Sequence, residues 1–230
     1  ANFEYIIIDG YSNDGTSEII KKFYQKNPKI KYYRFNDKGI YDALNFAISK
    51  AKGEYIGIIH SGDLYFSKNI LKKVENKIIK KDFLFGKIDF FDNDLKISRT
   101  WSFSNKIYGE NNFYKIAHPS LFIKRTIAKK IKYDPSNKIS SDTKYILDIF
   151  KVTKKYCYYN KPIQFMNTYG LSNNIKYFHI KMIEDIKILI NHSNVWFIFI
   201  YFKKVLSKIN HYNLLGKHSQ LLIKEIFFIE

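Results

Sequence analysis

Two short stretches concentrate the residue types that could do chemistry. Asp9-Gly10-Tyr11-Ser12-Asn13-Asp14-Gly15-Thr16 and His60-Ser61-Gly62-Asp63 each combine carboxylates, hydroxyls and glycines. Glycines let a backbone approach a ligand closely, and carboxylates beside them can hold a base, a ribose or a divalent cation. The competing reading is local: Asp14 and Thr16 cap a helix and the glycines make turns. Taken alone, either loop fits both readings equally. Further on, His118 precedes Pro119 and Asp142 follows Ser140-Ser141. By themselves these read as a turn histidine and a helix-capping aspartate.

Both loops follow apolar runs, and the pattern around them says how they are held. Residues 4–8 (EYIII) form a β-branched run of the kind buried on both faces of a sheet. A helix follows to about Gln25, with Ile19, Ile20 and Phe23 on one side and Asn27-Pro28 as its stop. Residues 29–35 read as a second strand, and a second helix carries Tyr41, Leu44, Ile48 and Ala51 on one stripe before Gly53. Residues 54–59 are a third strand. Strand, helix, strand, helix, strand predicts a parallel sheet with crossover helices. Ligands bind such sheets at the carboxyl ends of the strands, where the two loops lie.

The pattern then changes. An amphipathic helix is expected over 69–81, and a hairpin from 83–91 and 96–103 around Asp92-Asn93-Asp94. A short strand follows at 120–123, a helix at 143–150, and short strands at 156–159 and 163–166. Beyond Gly170 the chain reads as helical near 175–190, 195–208 and 214–228. The expected division is 1–172 as an α/β unit and 173–230 as a helical C-terminal region.

Composition excludes several classes. In 230 residues, 46% are hydrophobic and 41 of them Phe, Tyr or Trp, with only four prolines. Such a chain buries a core and is not a disordered linker. One cysteine, Cys157, rules out a disulfide framework or a cysteine-based zinc cluster. No run approaches the ~20 apolar residues that span a bilayer. The net charge is +18, yet only Arg34, Arg99 and Arg125 are arginines. Phosphate-reading surfaces favour the arginine fork, so the lysine excess is weak support for a polyanion partner.

Five blocks now carry a resemblance. IIIDGYSNDGTSEII (6–20), DKGIYDALNFAISKAKGEYIGIIHSGD (37–63), AHPSLFIKR (117–125), SSDTKYIL (140–147) and YGLS (169–172) occur in the order seen in family 2 glycosyltransferases. The chain most resembles the bacterial subgroup that builds capsule, lipopolysaccharide and colanic-acid-type polymers. The resemblance implies a GT-A fold, Rossmann-like α/β, and an inverting transfer of a sugar from a nucleotide-diphosphate donor to a surface-glycan acceptor. It implies that Asp9, Asp37, Gly39, Asp42 and Asn45 line the nucleotide-sugar site and that Asp142 is the catalytic base. It also implies that His118 and Gly170 lie on the acceptor side, and that Asp63 is the remaining carboxylate of a metal motif for Mg²⁺ or Mn²⁺.

Two departures accompany it. The metal motif reads His60-Ser61-Gly62-Asp63, with one carboxylate; Mg²⁺ is often held by one or two, aided by substrate phosphates. His60 as a ligand is the less favoured reading, because hard cations prefer oxygen. The chain also starts without the first strand of the resembled family, so an open sheet edge beside the nucleotide site is expected. An inactive remnant, or a basic non-catalytic protein that binds anionic lipid or another polyanion, is the alternative function. The expected location is the cytoplasm, with peripheral attachment to the inner membrane face expected through the aromatic run 195–202 and Lys203, Lys204 and Lys208. A lipid-linked or oligosaccharide acceptor is an expected partner and nucleic acid is not.

Overall fold

The computed structural model describes residues 2–91, 97–102, 116–167 and 177–192. The first strand, β1 (Tyr5–Asp9), is followed by α1 (Thr16–Lys26), β2 (Ile30–Arg34) and α2 (Ile40–Lys50). β1 and β2 run parallel, Tyr5 opposite Ile30 and Asp9 opposite Arg34, as a strand–helix–strand unit predicts. The third strand departs from the expected parallel sheet. β3 (Tyr55–Gly57) pairs antiparallel with β7 (Phe122–Lys124), and among the described residues it shares no ladder with β1 or β2. The carboxylate of Glu4 ties the pieces together instead. It accepts hydrogen bonds from the main-chain N–H of Lys52 (2.6 Å) and Gly53 (2.9 Å) and pairs with Lys31.

The larger sheet has the order β3, β7, β5, β8, β4, with β6 on β5. It is built from β4 (Leu64–Tyr65), β5 (Phe83–Phe91), β6 (Ile97–Trp101) and β8 (Tyr156–Asn167) besides β3 and β7. The expected hairpin is β5 with β6, antiparallel. The two short strands expected at 156–166 are one strand. β8 continues through Asn160-Lys161-Pro162, where its register on β5 shifts beside Gly86 and Lys87. Proline donates no hydrogen bond, and a local irregularity absorbs the missing rung.

β5 is buried on both faces along nearly its whole length, and its side chains alternate between two cores. Phe83 and Phe85 face a cluster with Tyr133, Tyr145, Leu147 and Phe150, while Leu84 faces Ile70, Val74 and Ile78 of α3 (Ile70–Ile78) with Phe122 and Ile163. Gly57 and Gly86 let the layers close. A Cβ at Gly57 would lie 2.5 Å from the Phe122 ring, and one at Gly86 2.6 Å from Ile163. The remaining helices are α4 (Arg125–Lys130), α5 (Ser141–Val152) and α6 (Phe178–Asn191). Ile188 and Leu189 of α6 lie in the main core with α5. Past residue 172, then, α6 packs into the same core as the α/β unit. The expected helices at 195–208 and 214–228 lie outside the described residues.

Candidate active site

The residues singled out in the sequence gather into two groups. The first stands at the carboxyl ends of β1 and β2. Asp9 is 4% exposed, and its carboxylate is fully engaged. Oδ1 accepts from the Ser12 N–H (2.8 Å), and Oδ2 accepts from the hydroxyls of Ser17 and Tyr32 (both 2.5 Å), with Arg34 Nε 3.7 Å away. Burial alone would raise its pKa, but the hydrogen bonds from Ser12, Ser17 and Tyr32 hold it well below the usual carboxylate range. In this geometry Asp9 organises the loop leading into α1. The exposed Tyr11, at φ 63°, offers its ring to the Arg34 guanidinium at 4.4 Å.

Asp37 closes on the same place. Its Oδ1 accepts from the Gly39 N–H (2.9 Å), and a Cβ at Gly10 would come within 3.0 Å of its Oδ2. Gly39 has φ 127°, a value that L side chains rarely adopt, and starts α2. Asp42 accepts from the Lys38 N–H at 3.1 Å. Asn45 is spent elsewhere: its amide donates to the carbonyl of Tyr133 and accepts from the Tyr133 N–H, both at 2.9 Å. It bridges α2 to the segment after α4.

The second group holds His60, Asp63, His118 and Asp142. Asp142 lies in the first turn of α5, where the helix dipole favours a negative charge. Its Oδ2 is 3.3 Å from His118 Nδ1, its Oδ1 accepts from the Thr143 N–H (2.8 Å), and 27% of its side-chain surface stays open. Burial pushes its pKa up, but Lys181 and then His118 outweigh it and keep the group ionised. On the far side of His118, Nε2 meets His60 Nε2 at 2.9 Å. Burial, reinforced by His118, lowers His60 to about 4, so it is neutral at pH 7.

Asp63 follows one turn after His60, its N–H donating to the His60 carbonyl at 3.1 Å. One carboxylate oxygen accepts from the Asn167 N–H (3.2 Å), while Oδ2 is buried without a hydrogen-bond partner. Burial raises this acid to about 6. A buried, unpartnered carboxylate oxygen fits a cation ligand. No group of three or more His, Cys, Asp or Glu spaced to hold a metal exists among the described residues. A cation held by Asp63 would need its other ligands from water and substrate phosphate, as Mg²⁺ commonly does.

The helix expected near 175–190 is α6, but sequence reasoning missed its part in the site. Lys181 supplies the charge beside Asp142 and sits 3.7 Å from Asp185, which accepts from the Thr143 hydroxyl at 3.1 Å. Glu184 accepts from three successive N–H groups, Lys138, Ile139 and Ser140, at 2.7–2.9 Å, fixing the loop that enters α5. Tyr41 of α2 donates to the Ile139 carbonyl in the same loop (2.5 Å). The available signal was the spacing of Lys181, Glu184 and Asp185 at i, i+3 and i+4, on one face of a helix rich in Ile, Leu and Met. Gly170, with its loop 169–172, lies outside the described residues.

Comparison with known proteins bears on the family and the fold. The model of glycosyl transferase family 2 matches residues 1–133. An uncharacterized glycosyltransferase of Methanocaldococcus jannaschii is 31% identical over 140 residues, covering 56% of this chain and 47% of that protein. The minor teichoic acid biosynthesis protein GgaB of Bacillus subtilis is 26% identical over 193 residues, 80% of this chain and 20% of its own length. Among solved structures, S. aureus TarS residues 1–349 in complex with UDP-GlcNAc superposes with TM-score 0.64 at 18% identity, over 81% of this chain and 58% of that one. The mannosyltransferase PcManGT of Pyrobaculum calidifontis, in complex with GDP-Man and Mn²⁺, gives 0.52 at 15%, over 82% and 53%. The chain spans about half the length of the first of these relatives. The structural likenesses show the GT-A-like α/β fold, and with more than half its residues matched by the family model the chain belongs to glycosyl transferase family 2.

Proposed function

We propose that the chain transfers a sugar from a nucleotide-diphosphate donor to the hydroxyl of a bacterial surface-glycan acceptor, with inversion at the anomeric carbon. The observation that carries this reading is Asp142, an ionised carboxylate that stays partly open while Lys181 and His118 hold it in place. In the proposed step Asp142 takes the acceptor's hydroxyl proton as its oxygen attacks the anomeric carbon and the nucleoside diphosphate departs from the opposite face. Asp63 would hold Mg²⁺ or Mn²⁺ against the diphosphate, which supplies charge neutralisation to the leaving group. Asp37, Gly39 and Asp42, behind the Asp9 loop, form the donor side. The donors in the TarS and PcManGT structures, UDP-GlcNAc and GDP-Man, support a nucleotide sugar here.

The acceptor is read as lipid-linked or oligosaccharide, supported by the teichoic acid relative. The reading further places the protein in the cytoplasm, against the inner membrane face; no described helix is long and apolar enough to cross a membrane. The test is release of UDP or GDP from a panel of nucleotide sugars with Mn²⁺, with and without oligosaccharide acceptors. Asp142→Asn is expected to lower acceptor-dependent release by roughly 10²-fold or more while donor binding persists. Unchanged release in the variant would place the base elsewhere.

A further inference from the structure

The proposed reaction leaves His60 without a part, although it touches the base's own partner. His60 comes from the loop after β3 and His118 from the 3-10 turn before β7. Their rings stand at 68° to each other with Nε2 facing Nε2 at 2.9 Å, and His118 Nδ1 lies 3.3 Å from Asp142 Oδ2. The three side chains form one chain of contacts that ends on the carboxylate the reaction uses. Both loops are pinned behind the rings. The buried Gln164 amide donates to the Ile58 carbonyl (2.5 Å), and the Asp63 N–H donates to that of His60. The Leu121 N–H donates to the His118 carbonyl (3.0 Å), and the Tyr133 ring stands edge-on to His118 at 6.4 Å.

We propose, on the reading of Asp142 as the base, that His60 is a positioning residue: its Nε2–H donates to His118 Nε2, fixes His118 as the Nδ1–H tautomer, and so holds Asp142 toward the acceptor hydroxyl. The proton count supports this direction. A neutral imidazole carries one proton, and a single proton fits between nitrogens 2.9 Å apart. The ionised Asp142 carboxylate only accepts, so His118 spends its proton from Nδ1 and leaves Nε2 as an acceptor. His60 is neutral at pH 7, because burial and then His118 lower it to about 4, and its one proton is the one that fills the contact.

The second contact matters because the first is long. Asp142 Oδ1 is spent on the Thr143 N–H, and the reach from His118 to Oδ2 is 3.3 Å. A half-turn of the His118 ring would put Cδ2 where Nδ1 stands and Cε1 where Nε2 stands. Oδ2 would then face carbon. With His60 on the far side, that half-turn breaks two hydrogen bonds instead of one. His60 thus guards the orientation of a carboxylate it does not touch.

The first measurement is ¹⁵N NMR of the histidine-labelled chain at pH 7, which separates protonated from bare ring nitrogens, with signals assigned by substitution. His60 should be protonated at Nε2 and His118 at Nδ1 only. A bare His60 Nε2, or a protonated His118 Nε2, overturns the proposal. The second is acceptor-dependent release from the nucleotide sugar that the panel identifies. His60→Met keeps bulk and removes the donor; it should lower kcat about 10- to 100-fold, with the donor KM within about threefold. His60→Gln, whose amide nitrogen takes the place of Nε2, should recover most of that loss. In the Asp142→Asn background His60→Met should cost less than about threefold more, because it acts through that carboxylate. Unchanged kcat in His60→Met, equal loss in His60→Gln, or full additivity with Asp142→Asn overturns the positioning role. Should His60→Met fail to fold by far-UV circular dichroism, the nitrogen signals and His60→Gln decide. Release unchanged in Asp142→Asn counts against the proposed base, while the nitrogen signals, which need no glycosyl transfer, still judge the chain of contacts.

Discussion

Asp63→Asn should make the protein more stable, in a pH window fixed by the structure. The wild-type carboxyl is raised from 3.8 to about 6 by burial, with Oδ2 unpartnered. A rise of that size is worth at most about 3 kcal/mol, at ~1.4 kcal/mol for each tenfold change. The carboxyl keeps some contact with water, so about 1–2 kcal/mol is the expected effect. The folded state holds this proton more tightly than the unfolded state. Wild-type stability therefore falls as pH rises from about 4 through 6, and the penalty is constant above that. Asparagine keeps the acceptor for the Asn167 N–H and exchanges the other, charged oxygen for a neutral amide NH2. Urea or thermal unfolding of both proteins at pH 4, 5, 6 and 7.5 should show curves that converge near pH 4. At pH 7.5 they should separate by about 2–8 °C in Tm, at ~2–4 °C per kcal/mol for a chain this size. Mn²⁺ should raise the Tm of the wild type and not of the variant. A gap independent of pH, or a variant less stable at pH 7.5, would refute the assignment of a buried, uncompensated charge to Asp63.

Three further outcomes follow from the packing. Asn45→Ala strands the N–H and carbonyl of Tyr133 and should cost about 2–4 kcal/mol in urea unfolding, while nucleotide affinity per folded molecule stays unchanged. Lys181→Met removes the cation that keeps Asp142 ionised and should cost about 3 kcal/mol at pH 7. Because Asp142 is depressed in the folded state, that cost should shrink as the pH is lowered below about 4, which unfolding at pH 7 and pH 3 would show. Gly57→Ala drives a methyl into the Phe122 ring and should destabilise by about 1–3 kcal/mol, measured the same way.

The sequence alone determined the local pieces. β-branched runs, proline and glycine stops and amphipathic stripes were enough for β1, α1, β2, α2, α3 and the β5–β6 hairpin, because those signals act over a few residues. The acidic loops after β1 and β3 were legible for the same reason, and the five blocks in order carried the family. Tertiary structure decided the rest. β3 joins β7 rather than β1, a pairing between segments some 65 residues apart that no local period encodes. Asn45 sits in a block that reads as ligand-lining, yet both its polar atoms go to Tyr133, 88 residues away. The state of Asp142 is set by Lys181 from a helix the sequence had placed outside the α/β unit. The His60–His118 contact joins two loops 58 residues apart. Such pairings depend on where the core brings distant chain together, and the neighbours met there then set which carboxylate is raised, which is lowered, and which histidines meet.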